Sequence, residues 1–337
     1  MVGLRGAGYP ARALPVALAL LVSSCHEVVE YGSVGSYGVC IIRTSDMAQV
    51  DCIEGFEGGR SLCSLGNSLF LVASTTGALF RVNSADRVVE EVYQIGPPFS
   101  AGYDEMTQVG VGQVYLVGGF GQLLEFGVPQ GGLEDQFPAG PSPAALSRST
   151  VPGRLYVADS YDCMIREVWT SDNTAYRELT LDGTPSGLAF FGWPAGYLAA
   201  VCSDLGVLYT VDVAGFVAQS IPLPGSCSDV AVLSDTSIYC VTHPAWSQSN
   251  GRVTLGDRFG LTPAMITLPA EGHPCCVCAS PTTARFYVAS VLEDGTSRVM
   301  EVDALLWGLT RSCEVGGYVR DITTHANGEY VLVLTSN

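Results

Sequence analysis

From residue 36 onward the chain alternates short apolar runs with turn residues, and no stretch after the first 25 residues keeps the apolar period of a helix. The clearest runs lie at 70–74 (FLVAS), 114–118 (VYLVG), 155–159 (LYVAD), 198–202 (LAAVC), 238–242 (IYCVT), 286–290 (FYVAS) and 330–334 (YVLVL). Upstream of each stands an apolar residue followed by a small or short one: Leu62-Cys63, Met106-Thr107, Leu146-Ser147, Leu188-Ala189, Val230-Ala231, Val277-Cys278 and Ile322-Thr323. Third strands follow in alternation, as in Leu79-Phe80-Arg81-Val82, Leu123-Leu124-Glu125-Phe126 and Val299-Met300-Glu301-Val302. Gly, Asp and Asn mark the turns, notably Asp294-Gly295, Asn250-Gly251 and Asn327-Gly328.

A unit of four strands with a period of about 40 to 45 residues is the signature of a β-propeller blade, so the fold class is all-β. The last repeat stops at Asn337 after two strands, while 37–43 and 49–54 supply two strands with no inner pair. Together they predict a seven-bladed β-propeller whose last blade is closed by strands from both termini, which removes exposed sheet edges. The alternative is an open or six-bladed ring capped by an N-terminal hairpin.

The stretch 155–160 (LYVADS) running into Met164-Ile165-Arg166 resembles the NHL blade core, and Phe286-Tyr287-Val288-Ala289-Ser290 with 298–303 (RVMEVD) is similar to YVTN blades. The resemblance covers residues 36 to 337. It lies in structural positions, so it implies the propeller fold and carries no site residues. Trp169, Trp193, Trp246 and Trp307 are never followed by Asp, which disfavours a WD-repeat assignment.

The first 25 residues change the picture of where the chain works. Arg5 and Arg12 precede an apolar run at 13–22, too short to span a bilayer as a mature helix, and Val22-Ser23-Ser24-Cys25 resembles a bacterial lipobox. The expectation is a lipoprotein signal over 1–25, lipidation at Cys25, a tether at 26–36 and a single propeller over 37–337. The chain would be exported and lipid-anchored in the bacterial cell envelope, on the periplasmic or surface face, with an ordinary cleaved signal peptide as the alternative. No later segment reaches 18 uninterrupted apolar residues.

Sixteen basic against 33 acidic residues give a net charge of −17. All the basic residues are arginine, so no lysine is present for a Schiff base, and nucleic acid is excluded as a natural partner because phosphate backbones would be repelled. There is no P-loop, no HExxH, no GxSxG elbow and no EF-hand loop. Two function classes follow. One is a non-enzymatic binding or scaffold platform taking a protein or glycan on one propeller face, with the membrane engaged only through the lipid anchor. The other is a metal-dependent enzyme resembling propeller lyases or lactonases, using His and carboxylates with a divalent metal ion at one mouth of the channel.

Candidate chemistry falls in two places. Glu105, Asp229 and Asp321 each precede the apolar residue of an innermost strand, so they are expected around one axis, either as an oxygen-lined Ca²⁺ or Mg²⁺ site or as carboxylates hydrogen-bonded to neighbouring amides. Export would let disulfides persist among the 12 cysteines. Cys63, Cys240 and Cys278 sit in apolar strand patterns and read as small buried hydrophobes. Cys163, Cys202 and His243 fall at or after second strands, and Cys227, His273, Cys275 and Cys276 in links into first strands, which places all seven on one face. Two readings follow: a Cys202–Cys227 disulfide, or a zinc or copper site built from His243, His273 and Cys275.

Overall fold

The computed structural model describes residues 36–337 except 67, 97–104, 111, 119–120, 129, 150, 193–195, 234–235, 245–250 and 259–264. The signal, Cys25 and the tether up to residue 35 lie outside the described residues. Among those described there are 28 strands and no helix, arranged as seven four-stranded antiparallel sheets. Six sheets are consecutive, over 59–94, 106–138, 143–180, 185–222, 230–269 and 273–315, and are called blades 1 to 6. Blade 7 is assembled from Tyr318–Thr324 and Tyr330–Ser336 as its inner strands and Tyr37–Arg43 and Ala48–Glu54 as its outer ones.

Seven apolar clusters fall one at each junction between neighbouring blades, including the junction of blade 7 with blade 1. That last cluster, with Val39, Ile41, Leu332 and Leu334 packed on Phe70 and Val72, closes the ring and decides against six blades or an open arc. The second strands are apolar on both faces because each face meets a different neighbour. In blade 7, Leu332 and Leu334 look toward blade 1 while Val331 and Val333 look toward blade 6. Fourth strands are exposed, as in 88–94 (VVEEVYQ), and the charge of Glu90 and Glu91 there deters edge-to-edge pairing.

The phase read from the sequence is reproduced residue by residue. Leu62, Met106, Leu146, Leu188, Val230, Val277 and Ile322 pair with Val72, Leu116, Val157, Ala200, Val241, Val288 and Val333, the middle of each second strand. Five of the inner strands carry a bulge just before this pair, at Arg60, Ala144, Ser186, Cys275 and Arg320. A bulge takes one residue out of the ladder and re-aims its side chain.

A buried glutamate ties blades together in three places. Glu125, Glu167 and Glu301 sit on third strands directly opposite Tyr115, Tyr156 and Tyr287, and all three glutamates are buried. In blade 3, Glu167 lies 3.0 Å from Arg154 and accepts from Arg177 Nε at 2.7 Å; Arg177 then donates to the carbonyls of Val213 and Ala214 in blade 4. Blade 6 repeats the arrangement: Glu301 holds Arg285 and Arg311, and Arg311 donates to the carbonyls of Thr44 and Ser45 in blade 7. In blade 2 the reach runs the other way, from the Asn173 amide of blade 3 back to Glu125 at 2.7 Å. Asn173 adopts φ 53°, a left-handed turn conformation that Asn tolerates well.

Candidate functional site

The inner strands surround a channel. At the end where they finish, two adjoining cavities of about 510 and 580 Å³ share Thr107, Arg148, Val232 and Ala279 and between them touch every blade. The walls are mostly small and hydroxyl-bearing, including Ser64, Ser147, Thr323 and Thr324. Arg148, the last residue of its strand, is exposed there and has no carboxylate partner among the described residues. Arg60 and Arg320, half-buried near each other at the opposite end of the channel, also lack a carboxylate partner among the described residues; the burial of Arg320 and repulsion from Arg60 weaken that guanidinium's hold on its proton. Nine other described arginines are in ion pairs with carboxylates. In a chain with net charge −17, three guanidiniums left unpaired on inner strands stand out as places where an anion is wanted.

The three channel acids behave in a regular way. Asp321 Oδ1 accepts from the Ile322 N–H at 2.7 Å and its Oδ2 from the Leu62 N–H of blade 1 at 2.6 Å. Asp229 does the same with Val230 at 2.7 Å and with Val277 of blade 6 at 2.8 Å. Each aspartate therefore caps the N–H of the apolar residue of its own inner strand and that of the equivalent residue of the next blade. Glu105 holds the corresponding main-chain place: its carbonyl accepts from Val117 at 3.0 Å as that of Asp229 accepts from Thr242 at 3.0 Å. No three His, Cys, Asp or Glu side chains among the described residues come together as a metal-binding group, and Glu105, Asp229 and Asp321 are no exception.

Burial raises the Asp229 carboxyl to about 6 and the Asp321 carboxyl to about 7, the backbone donors only partly offsetting it and the charge of Asp229 adding to the effect on Asp321. Both keep a minor part of their surface on the channel, but strands wall them on every other side. With folded values above the ordinary carboxylate value of about 3.9, their contribution is fully present below about pH 4 and is lost as pH rises through 6 to 7. Asp321→Asn removes one titrating group and leaves one amide without its acceptor at every pH. The variant's deficit in unfolding free energy relative to wild type, from urea titration, should therefore be larger at pH 5 than at pH 8, by an amount on the order of 2 to 4 kcal/mol. A deficit independent of pH would show that Asp321 titrates normally in the fold.

The histidine and cysteine candidates are placed as follows. His243 is buried, its Nδ1 donating to the Ser226 carbonyl at 2.8 Å and its Nε2 accepting from the Thr254 hydroxyl at 2.8 Å; burial lowers its pKa and keeps it neutral. Both nitrogens are thereby committed. His273 is exposed at the start of its strand, Cys275 occupies the bulge two residues on, and the three do not form a metal-binding group. Cys202 and Cys227 are neighbours, both fully buried, with Cys227 Sγ donating to the Cys202 carbonyl at 3.2 Å. Cys63 and Cys240 are buried, whereas Cys278 is only half-buried; burial pushes the Cys63 thiol to about 12, with Arg148 opposing and Asp321 and Glu105 assisting.

Arg148 was not among the residues singled out from the sequence, although a basic residue ending the run Ala145-Leu146-Ser147 in a lysine-free acidic chain was a usable signal. The glutamate clamps were equally visible as a Glu recurring in the middle of third strands.

The architecture and the channel define the class, a seven-bladed β-propeller. No protein-family model matches the chain, and no curated protein does. Among solved structures it is similar to hydrazine synthase from Kuenenia stuttgartiensis, with a TM-score of 0.71 and 13% identity over 83% of this chain and 95% of that one. It is also similar to the WD40 repeats of RRP9 (TM-score 0.70, 11% identity, 89% of this chain and all of that one) and to U3-55K (0.69, 11%, 88% and 98%). At such identities the likeness is one of fold.

Proposed function

We propose that this propeller is a non-enzymatic binding platform that takes an acidic protein segment at the channel mouth around Arg148. The observation that carries the reading is the exposed Arg148, without a carboxylate partner among the described residues, beside a polar cavity in a strongly acidic chain. A guanidinium presents a planar fork to a carboxylate and so recognises it with direction as well as charge. Leu305 and Leu306, 74% and 72% exposed on the turn between the third and fourth strands of blade 6, open on the same face because successive strands are antiparallel, and they offer an apolar contact farther out on that face. The same proposal places the chain outside the cytoplasm of a bacterium, anchored through Cys25, on the strength of the apolar run and the lipobox-like tetrad; the blade cores at 155–160 and 286–290 support the NHL and YVTN type.

The test is to pan a random peptide library against the immobilised chain and its Arg148→Glu variant. Acidic peptides should be enriched on the wild type and bind the variant at least tenfold more weakly, about 1.4 kcal/mol. No enrichment, or equal binding to the variant, overturns the reading. The anchor is checked alongside: Cys25→Ala should move the protein from the membrane pellet to the soluble fraction.

A further inference from the structure

Six of the eleven described cysteines gather at one junction, between blades 6 and 7: Cys40, Cys52, Cys275, Cys276, Cys278 and Cys313. Two of them stand apart in geometry. Cys40 and Cys52 are directly opposite each other on the outer pair of strands of blade 7, and their sulfurs are 3.2 Å apart. We propose that Cys40 and Cys52 form a reversible cross-strand disulfide that locks the outer hairpin of the closing blade.

Directly opposed residues of an antiparallel pair have Cα atoms about 4.5 or 5.5 Å apart, inside the window of about 4.4 to 6.8 Å that a disulfide spans. Bond formation needs the sulfurs to close by only about 1 Å, toward the usual S–S length of about 2.05 Å. The sequence also makes room for the sulfur: a Cβ on Gly38 would sit 2.9 Å from Cys52 Sγ, so glycine there leaves space that any other residue would take. The other close thiols fail the same tests. Cys275 and Cys276 are sequence neighbours, with Cα atoms about 3.8 Å apart across a trans peptide, too close for an ordinary bridge. Cys227 points its sulfur at the Cys202 carbonyl.

Access and reactivity favour the same pair. Cys52 is half-buried on the outermost strand, where a reagent reaches it, whereas Cys40 is buried behind it. The hydrogen bond shared by the two sulfurs raises the Cys40 thiol, which burial raises further, and lowers the Cys52 thiol, so the more accessible Cys52 is the attacking thiolate. The oxidant is a small-molecule disulfide, R–S–S–R. Cys52 thiolate attacks one sulfur, breaking that S–S bond and releasing one RS⁻; Cys40, losing its proton, attacks Cys52 Sγ in the mixed disulfide and releases the second. The two thiol protons end on two R–SH molecules, and two electrons pass from the cysteines to the reagent.

The experiment treats the purified full-length chain with oxidised glutathione, blocks free thiols with iodoacetamide and digests with trypsin without reduction. Arg43 and Arg60 flank Cys52, so the 44–60 peptide should appear linked to the peptide ending at Arg43, with fragment ions placing the link at Cys40 and not Cys25, and dithiothreitol should separate them. Oxidation should raise the melting temperature of the wild type by several degrees and leave Cys52→Ser unchanged. Cys52→Ser, on the exposed strand, keeps the test open should Cys40→Ser fail to fold. Recovery of the 44–60 peptide alkylated, bound to glutathione or linked to Cys313 overturns the proposal.

Discussion

A chain ending before Tyr330 is expected to accumulate as insoluble material with no cooperative melt. The deleted strand carries Val331, Leu332, Val333 and Leu334, all fully buried, two facing blade 6 and two facing blade 1. At about 1.5 to 3 kcal/mol each, their loss removes roughly 6 to 12 kcal/mol, comparable with the whole stability of an ordinary domain. It also severs the only ladder joining the N-terminal hairpin to the inner strand of blade 7, since Cys40 pairs with Val333 and Ile322 pairs with Val333 from the other side. Centrifugation and differential scanning calorimetry of the truncated chain check this, and a soluble product melting as the wild type does would mean that the ring closes without that strand.

Glu301→Ala should cost about 3 to 5 kcal/mol, the range for breaking a buried ion pair by removing one partner. The carboxylate is 2% exposed and also accepts from Thr310 at 2.7 Å, and Asp303, 3.8 Å from Arg285, can take over only that one guanidinium. Arg285 and Arg311, about one third exposed, would be left facing each other, and water can solvate them in part, which places the expected value toward the lower bound. Because Arg311 is also the link to the Thr44 carbonyl, a double-mutant cycle with Arg311→Ala should show coupling above about 1 kcal/mol. Urea unfolding midpoints for the four proteins supply the numbers. A loss below about 1 kcal/mol for Glu301→Ala would mean the clamp is replaceable.

The repeat was legible because a blade is a local object: apolar runs with one phase, seven times over, show which residues must face neighbours on both sides. The closing blade was legible for the same reason, since the outer pair at 37–54 and the inner pair at 318–336 each lacked what the other supplied. The channel acids were legible as positions and not as partners. That Asp321 reaches the Leu62 amide depends on a bulge and on the rotation between two blades, and neither leaves a mark in residue order. Cys40 and Cys52 were hidden differently. Their pairing follows from hairpin register, and that register contains its own irregularity between Ile41 and Ile42, so counting outward from the turn at 44–47 puts the wrong residues opposite each other. Arg148 and the glutamates could have been found by asking which charged residues recur, or fail to recur, at fixed places in the blade.

The composite blade also sets an order of events. Tyr37 pairs with Ser336 and Arg43 with Tyr330, contacts between the first and last strands of the propeller. Ribosomes release residues at about 5 to 20 per second, so the outer hairpin waits many seconds for strands not yet made, while blades 1 to 6 can each form from contiguous sequence. Ring closure is then a late, high-contact-order step, slow relative to the hairpins that precede it. Until it happens, blade 1 and blade 6 each present an uncovered apolar flank, and a chain in that state is a natural client for whatever holds unfolded polypeptides apart.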